Sequence, residues 1–202
     1  MGDGQVDWDY VHRSNFESAA FWDINWIGKA RNLFEAAKRL EPEVILVWES
    51  YRAHAKNATV PLKPDHFHGP YFMLLAFATE NLFKAAAVAR NGSKYKAAFR
   101  RTLKFPQELK KHDLVELAQL VGFTYSSEEE DLLRRLTRSA IWFGRYPAPL
   151  DYSEMSGQET FSDGNEFAVS WFGGNDVPRL NAFILSLPAR LGLNEPYWDR
   201  AA

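Results

Sequence analysis

The segment from Tyr71 to Ala89 constrains the fold of this chain most, because it is nearly all apolar and its only charges are Glu80 and Lys84. A helix that is apolar on nearly every side is usually buried in the middle of a bundle. Glu80 and Lys84 stand four residues apart, in the order that favours an ion pair along a helix. Because an unpaired buried charge is costly, the two must pair with each other or face a cleft.

The same segment has the length of a transmembrane helix. However, Glu80, Asn81 and Lys84 lie near its middle, where polar and charged groups make a membrane span expensive. We therefore expect a buried helix and no membrane association. The first residues are polar and acidic and do not resemble a signal peptide. The chain has no cysteine, which suits the reducing cytoplasm, and we expect a cytoplasmic protein.

Hydrophobic periodicity and capping signals predict helices on both sides of this segment. Ser14 and Glu17 have the spacing of a capping box and predict a first helix that runs to about Leu40. Pro42 predicts the first position of a second helix. The pair Asn91-Gly92 predicts the end of the central helix.

Three further helices are predicted before residue 147. One spans Ser93 to Lys104. Asp113 opens the next, as an N-cap with Glu116, and that helix ends at Gly122. Ser127 and Glu130 form a second predicted capping box, for a helix that runs to about Phe143.

The chain changes character after Pro147, since residues 151–176 are rich in Ser, Gly, Asn and acids and predict loop. A short strand or an aromatic plug is predicted at 167–172, and a short helix at 178–187, which Pro188 kinks or ends. We therefore predict an all-α fold over 1–202 in a single domain. Its core, 14–147, is an up-and-down bundle of four to five helices, and 148–202 is an acidic, irregular extension that contains the short helix.

Charge does not select a partner for the chain as a whole, because 24 basic and 26 acidic residues give a net charge of -2. The distribution is uneven, since residues 90–111 carry eight basic residues and one acid. Such a run is typical of a solvated helix face, and it also attracts phosphate backbones. The string Asp65-His66-x-His68 could supply two or three metal ligands, but with no further ligand in view we expect neither a metal nor a cofactor.

Candidate functional residues lie at two helix boundaries outside the central segment. His112 precedes a predicted helix start, where a histidine serves as a base, as a phosphate contact or in packing. Arg145 ends a helix, where the helix dipole favours a cation and the guanidinium can present a fork to phosphate. No phosphate-loop, nucleophile-elbow or metalloprotease motif is present in the sequence.

Three short motifs together resemble the HEPN superfamily (higher eukaryotes and prokaryotes nucleotide-binding). They are Glu80-x-x-x-Lys84 in a long apolar helix, Lys111-His112-Asp113-Leu114 before a short helix, and Arg145-Tyr146-Pro147 at the end of a helix. The resemblance covers about 16–147 and does not extend into the tail. It implies a four- or five-helix up-and-down bundle that forms a homodimer.

The resemblance also implies that many family members are ribonucleases, whose active site is an arginine and a histidine with four to six residues between them. Others lack that motif and bind nucleotides or partner proteins. No histidine of this chain follows an arginine at that spacing, so no catalytic residue is carried over. Acid–base cleavage of a phosphodiester needs a titratable proton carrier near the phosphate, and His112 could serve only if the fold brings it near Arg145.

Three functions follow from these residues. The first is a non-catalytic HEPN-like protein that binds a nucleotide, RNA or a protein partner in a groove lined by Glu80, Lys84, His112, Arg145 and Tyr146. In that groove Lys84 and Arg145 would contact phosphates and Tyr146 would stack on a base. The second is a metal-independent ribonuclease with a rearranged site, in which His112 is the base and Arg145 stabilises the anion. The third is a structural protein-interaction domain, in which these residues only cap and pair.

Overall fold

Two long helices form the frame of this all-α protein. A computed structural model describes residues 6–149, 151–152, 159–160, 166–167, 172–193 and 198. Within these residues the helices are α1 (Trp8–Phe21), α2 (Asp23–Lys56), α3 (His68–Thr102), α4 (Leu114–Leu120), α5 (Ser127–Arg138) and α6 (Asp176–Leu191). Gln107–Lys110 is a 3-10 turn, and Ser139–Phe143 is a π-helical turn that continues α5. Two-residue strands, β1 (Glu159–Thr160) and β2 (Glu166–Phe167), pair antiparallel, with Glu159 opposite Phe167.

Helices α2 and α3 pack side by side in opposite directions. Near the end of the pair that carries the connecting loop, the Tyr71 hydroxyl donates to Oε2 of Glu41 at 3.0 Å. Further along, Nζ of Lys84 lies 5.9 Å from the centre of the Trp26 ring. Because the residue number of the contact on α2 falls from 41 to 26 while that on α3 rises from 71 to 84, the two helices form an antiparallel hairpin.

Helix α3 lies in the middle of the bundle, as its composition predicts. Its length and composition would suffice to span a membrane, and 78% of its most apolar stretch is buried inside the protein. Leu75, Leu82 and Phe83 are completely buried. The all-α bundle with a buried central helix is therefore confirmed.

Helix α6 belongs to the bundle even though it lies in the predicted extension. The Arg135 guanidinium of α5 donates two hydrogen bonds to the Asp176 carboxylate of α6, at 2.9 and 3.2 Å. From α6, the Asn181 amide donates to Oε2 of Glu41 at 2.8 Å. The predicted helix at 178–187 is present but is longer at both ends. It begins at Asp176, contains Pro188 in its last turn and ends before Gly192, which has φ 68°.

The predicted start of the first helix at Ser14 is wrong. Helix α1 begins at Trp8, where the Asp7 side chain accepts a hydrogen bond from the Tyr10 amide at 3.0 Å, and Ser14 lies within the helix. Glu17 does not close a capping box, because it pairs with Arg100 of α3. A tertiary ion pair has therefore taken the side chain that the local motif would use.

Two predicted helix boundaries are also absent. Pro42 lies inside α2 and has an exposed side chain; the lost backbone bond costs about 3 kcal/mol, which the packing of α2 along α3 offsets. Gly92 lies inside α3, close to the end of α1, and a Cβ there would be 3.4 Å from the Phe21 carbonyl oxygen. Helix α3 ends instead at Thr102, and its C-cap, Leu103, adopts the left-handed conformation at φ 52°.

The caps of the next two helices are close to their predicted positions. Asp113 caps α4 as expected, accepting from the Glu116 amide at 2.9 Å, although the helix ends at Leu120. The capping box of α5 is formed by Ser126 and Glu129, one residue before the predicted pair.

Candidate functional site

Glu80 is the centre of the site, because its two carboxylate oxygens hold two different side chains. Oε1 lies 2.6 Å from Nζ of Lys84, one turn further along α3. Oε2 lies 3.0 Å from Nδ1 of His112, which precedes α4. Glu80 and Lys84 are both buried. The carboxylate is thus neutralised by a cation of its own helix and bonded to an imidazole ring from another segment.

The segment around His112 is fixed by the start of α4. Asp113 caps that helix, and the Leu114 amide donates to the Thr137 hydroxyl of α5 at 3.0 Å. The His112 side chain is 58% exposed. Because an ionised carboxylate only accepts hydrogen bonds, Nδ1 of His112 must be the donor to Glu80. The second ring nitrogen, Nε2, is thereby left as the atom available to a ligand.

Lys84 is placed to hold Glu80 rather than to reach a ligand. Its side chain is 5% exposed, and its ammonium group is occupied by Glu80 on one side and the Trp26 ring on the other. Burying an unpaired carboxylate costs several kcal/mol, so Lys84 is what permits Glu80 to lie inside the bundle and present an oxygen to His112.

Arg145 contacts α3 through the ring of Phe77, a residue that was not among the predicted site residues. Its guanidinium carbon lies 4.9 Å from the centre of the Phe77 ring, a cation–π contact. The neighbouring Gly144 packs against the first turn of α3: a Cβ there would lie 3.0 Å from the Gly69 carbonyl oxygen and would overlap the Cβ of Met73. The absent side chain at residue 144 thus sets how closely Arg145 approaches α3.

Phe77 and Glu80 are three residues apart on α3, and this places Arg145 and His112 on one side of the helix. Three residues correspond to about 4.5 Å along the axis and to nearly one full turn. The structure therefore joins Glu80, Lys84 and His112 by direct contacts, and Arg145 contacts the same helix at Phe77, nearly one turn away. Sequence spacing within α3 points to Phe77 as a neighbour of Glu80, but nothing in the sequence pairs it with Arg145.

Tyr146 follows Arg145 directly, and its contribution to this group is an exposed side chain. Its backbone amide donates to the Trp142 carbonyl at 2.8 Å, and its side chain is exposed. Among the residues that the structure describes, no hydrogen bond of its hydroxyl is found. Tyr146 thus offers an open aromatic face next to Arg145.

Around the histidine string at 65–68, as elsewhere in the described residues, no group of three metal ligands is found. His68 is buried beside Trp48 and Phe72, and its Nε2 lies 3.3 Å from the Phe172 carbonyl oxygen. Burial lowers the pKa of His68, which keeps the ring neutral in the core.

Two open grooves of the described structure lie at α1, away from this group. One, of about 640 Å³, runs past Trp22 and Lys94. The other, of about 470 Å³, lies between Tyr10 and Arg100. The basic residues of α3 that line these grooves are visible in the sequence. The grooves themselves exist only because α1 docks beside α3, with the Phe16 ring stacked on the Phe99 ring at 4.5 Å.

Comparison with protein-family models, curated proteins and solved structures gives no match to this chain. The resemblance to the HEPN superfamily thus stays a prediction from three short motifs. A function for the protein depends on the geometry of the side chains around Glu80.

Proposed function

We propose that this protein is a non-catalytic, HEPN-like helical bundle that binds a phosphate group of RNA or of a nucleotide where His112 and Arg145 meet α3. The observation that carries the proposal is the position of Glu80, buried, neutralised by Lys84 and bonded to the half-exposed ring of His112. A buried carboxylate that orients an exposed imidazole is an arrangement suited to contact a ligand, and structural packing alone does not require it.

His112 supplies one half of the proposed phosphate contact. Glu80 fixes the ring orientation through Nδ1, and in the imidazolium form of the ring Nε2–H donates to a phosphate oxygen. The charge of Glu80 is already balanced by Lys84, which limits its repulsion of an approaching anion.

Arg145 supplies the other half. Its guanidinium lies over the Phe77 ring and its side chain is exposed. Within the described part of the chain no acceptor engages its N–H groups, which can therefore form a fork with phosphate oxygens. Tyr146 follows directly and offers a stacking face for a base. Together they form a compact cationic and aromatic surface of the kind that binds nucleic acid.

Titration of the purified chain with a fluorescent single-stranded RNA, and separately with AMP, tests this proposal. Binding is expected to weaken with salt, because phosphate contacts release counterions. Arg145→Ala and His112→Ala should each weaken binding about tenfold or more, the size expected for losing one charged hydrogen bond. Arg134→Ala is the matched control, since Arg134 is an exposed arginine that pairs with Glu130 on the outer face of α5.

Native mass spectrometry of the purified protein gives an independent test of the same proposal. Co-purified nucleotide or RNA supports it. A stoichiometric protein partner, together with salt-insensitive behaviour and no affinity for RNA or AMP, would contradict it and favour an interaction domain.

One observation favours a second candidate function, a metal-independent ribonuclease. The same Glu80–His112 bond leaves Nε2 of His112 as a free base when the ring is neutral, with Arg145 one turn away to stabilise the anion. Cleavage of RNA in the presence of EDTA, abolished by His112→Ala, would establish this activity. RNA that stays intact while bound supports the non-catalytic function.

A further inference from the structure

We propose that the groove between the first half of α1 and the last turns of α3 is a second anion site, which binds a phosphate monoester. The groove has a volume of about 470 Å³, within the range of small-molecule sites. Its lining residues are Tyr10, Arg13, Ser14, Glu17, Lys96 and Arg100. The site is separate from the surface at His112 and Arg145.

The face that α1 turns towards this groove is polar over two turns. Tyr10, Arg13, Ser14 and Glu17 follow the spacing of one helix face. A helix that only docks on a bundle carries apolar residues on that face, as α1 does one turn later, where Ala20 and Phe21 are buried. The first half of α1 instead presents hydroxyl groups and a guanidinium to an open space, which is a composition suited to a polar ligand.

Glu17 organises the cations on the opposite wall. Its carboxylate is 2.7 and 2.9 Å from two nitrogens of Arg100 and 3.1 Å from Nζ of Lys96. Both cationic side chains remain largely exposed beyond this contact, at 63% for Arg100 and 42% for Lys96. The carboxylate thus holds two cations at fixed positions while their remaining N–H groups stay available.

The charge of the groove matches a phosphate monoester. Three basic residues, Arg13, Lys96 and Arg100, line the groove with one acid, Glu17, so the lining has a formal excess of two positive charges. A phosphate monoester carries about -1.5 to -2 at neutral pH, and guanidinium groups bind its oxygens through paired hydrogen bonds.

The remaining lining groups indicate what the phosphate is attached to. Ser14 offers a hydroxyl to a phosphate oxygen. Tyr10 stands at the end of the groove with 66% of its surface exposed, and an exposed aromatic face stacks on a nucleobase. A phosphate monoester next to a base is found both in a free mononucleotide and at the 5′-phosphorylated end of an RNA, and the two sources can be separated by experiment.

The groove is far enough from Glu80 for the two sites to be tested separately. Lys96 lies twelve residues beyond Lys84 on α3, or about 18 Å along the helix axis. A double variant, His112→Ala with Arg145→Ala, removes the other proposed site and leaves every lining residue of the groove in place.

Calorimetric titration of this double variant at low salt tests the groove. The probes are AMP, adenosine, and one short RNA with and without a 5′-phosphate. AMP is expected to bind at least about tenfold more tightly than adenosine, the change that one or two charged hydrogen bonds produce. Binding of the phosphorylated RNA and not of its unphosphorylated form indicates a 5′ end as ligand, and preference for AMP over both RNAs indicates a free mononucleotide. Either result supports the site.

Arg13→Ala in that background should lower AMP affinity about tenfold or more. Arg13 is exposed, and the described bond of its side chain is to the Asp9 carbonyl within α1, so α1 should stay docked. Tyr10→Ala is a second variant that removes the stacking face. Lys94→Ala is the matched control: Lys94 is an exposed cation two residues from Lys96 that does not line this groove, and its loss should change affinity by less than about twofold.

The proposal is overturned if AMP binds no more tightly than adenosine, or if Arg13→Ala and Tyr10→Ala both leave AMP affinity unchanged. Equal losses in Arg13→Ala and Lys94→Ala would also overturn it, since they would indicate a general effect of charge. The surface at His112 and Arg145 can fail its own test without affecting these results, because it is absent from the titrated variant.

Discussion

The Oε2 atom of Glu80 lies 3.0 Å from Nδ1 of His112, although the two residues are 32 positions apart in the chain. The other oxygen of the same carboxylate lies 2.6 Å from Nζ of Lys84. One buried acid thus joins a charge inside the bundle to a titratable ring at its surface. The stability of the bundle and the orientation of the proposed site therefore depend on the same side chain.

Replacing Glu80 with leucine should destabilise the protein strongly, because Lys84 would be left buried without a counter-charge. Removing one partner of a buried ion pair costs about 3–5 kcal/mol. The free energy of unfolding from urea denaturation measures this loss. The double variant, Glu80→Leu with Lys84→Met, removes both charges and should recover at least about 2 kcal/mol of it. A double variant no more stable than the single one would show that Lys84 is not held by Glu80.

Replacing Gly144 with alanine should disturb the approach of the π-helical turn to α3. The added Cβ would overlap that of Met73 and lie 3.0 Å from the Gly69 carbonyl oxygen, and overpacking of this kind costs about 1–3 kcal/mol. Because Arg145 follows directly, RNA affinity should fall as well. Gly28→Ala is the control, since nothing lies within 4 Å of its added Cβ; in mid-helix it should stabilise by about 0.5–1 kcal/mol. Unchanged stability and affinity in Gly144→Ala would contradict the packing described.

The ion pairs of Glu17 should make the docking of α1 sensitive to acid. Hydrogen bonds from Arg100, opposed by partial burial and aided by Lys96, lower the pKa of Glu17 from 4.5 to about 2. Between these values the folded chain binds fewer protons than the unfolded chain, so this contribution to stability is present above pH 4.5 and is lost as the pH falls towards 2.

Urea midpoints of the wild type and of Glu17→Gln, compared from pH 3 to pH 7, measure this contribution. The wild type should be more stable above about pH 5, and the difference should shrink as the pH falls. Glu35→Gln, a change at an exposed acid of α2, should give no such narrowing. A wild-type advantage that is constant over the whole range would contradict the role given to Glu17.

Buried His68 should produce a second pH dependence, at higher pH. Burial lowers the pKa of its ring below the ordinary value of 6.5, against weaker opposing effects of Asp65 and the Phe172 carbonyl. The folded chain then binds fewer protons than the unfolded chain, and stability falls as the pH drops from 6.5 towards the folded pKa. Thermal unfolding between pH 5 and 8 should show this slope in the wild type and not in His68→Phe. His12→Gln, a change at an exposed histidine, should keep it.

The positions of His112 and Arg145 are decided by tertiary contacts. The sequence predicts that both residues lie at helix boundaries, but it does not predict that either contacts α3. The start of α4 places His112 against Glu80, and the close passage of Gly144 by Gly69 places Arg145 on Phe77. These are contacts between segments far apart in the chain, and no local spacing encodes them.

Several helix boundaries were decided in the same way. Pro42 and the pair Asn91-Gly92 are local signals of a helix boundary, the first of a start and the second of an end, each worth about 1–3 kcal/mol. Both are overridden because α2 and α3 pack along each other for most of their length. The capping box expected at Ser14 gives way because Glu17 finds two cations on α3.

The sequence predicts the all-α class, the buried central helix and the four-residue spacing at which Glu80 can pair with Lys84. Each of these depends on residues within one helix, where hydrophobic period and the spacing of four residues set which side chains are neighbours. Which distant residues face that helix, and that Glu80 pairs with Lys84 while it holds His112, follows from tertiary packing, because these positions depend on how whole helices pack. The groove beside α1 also depends on tertiary packing, because one of its walls comes from α1 and the other from α3.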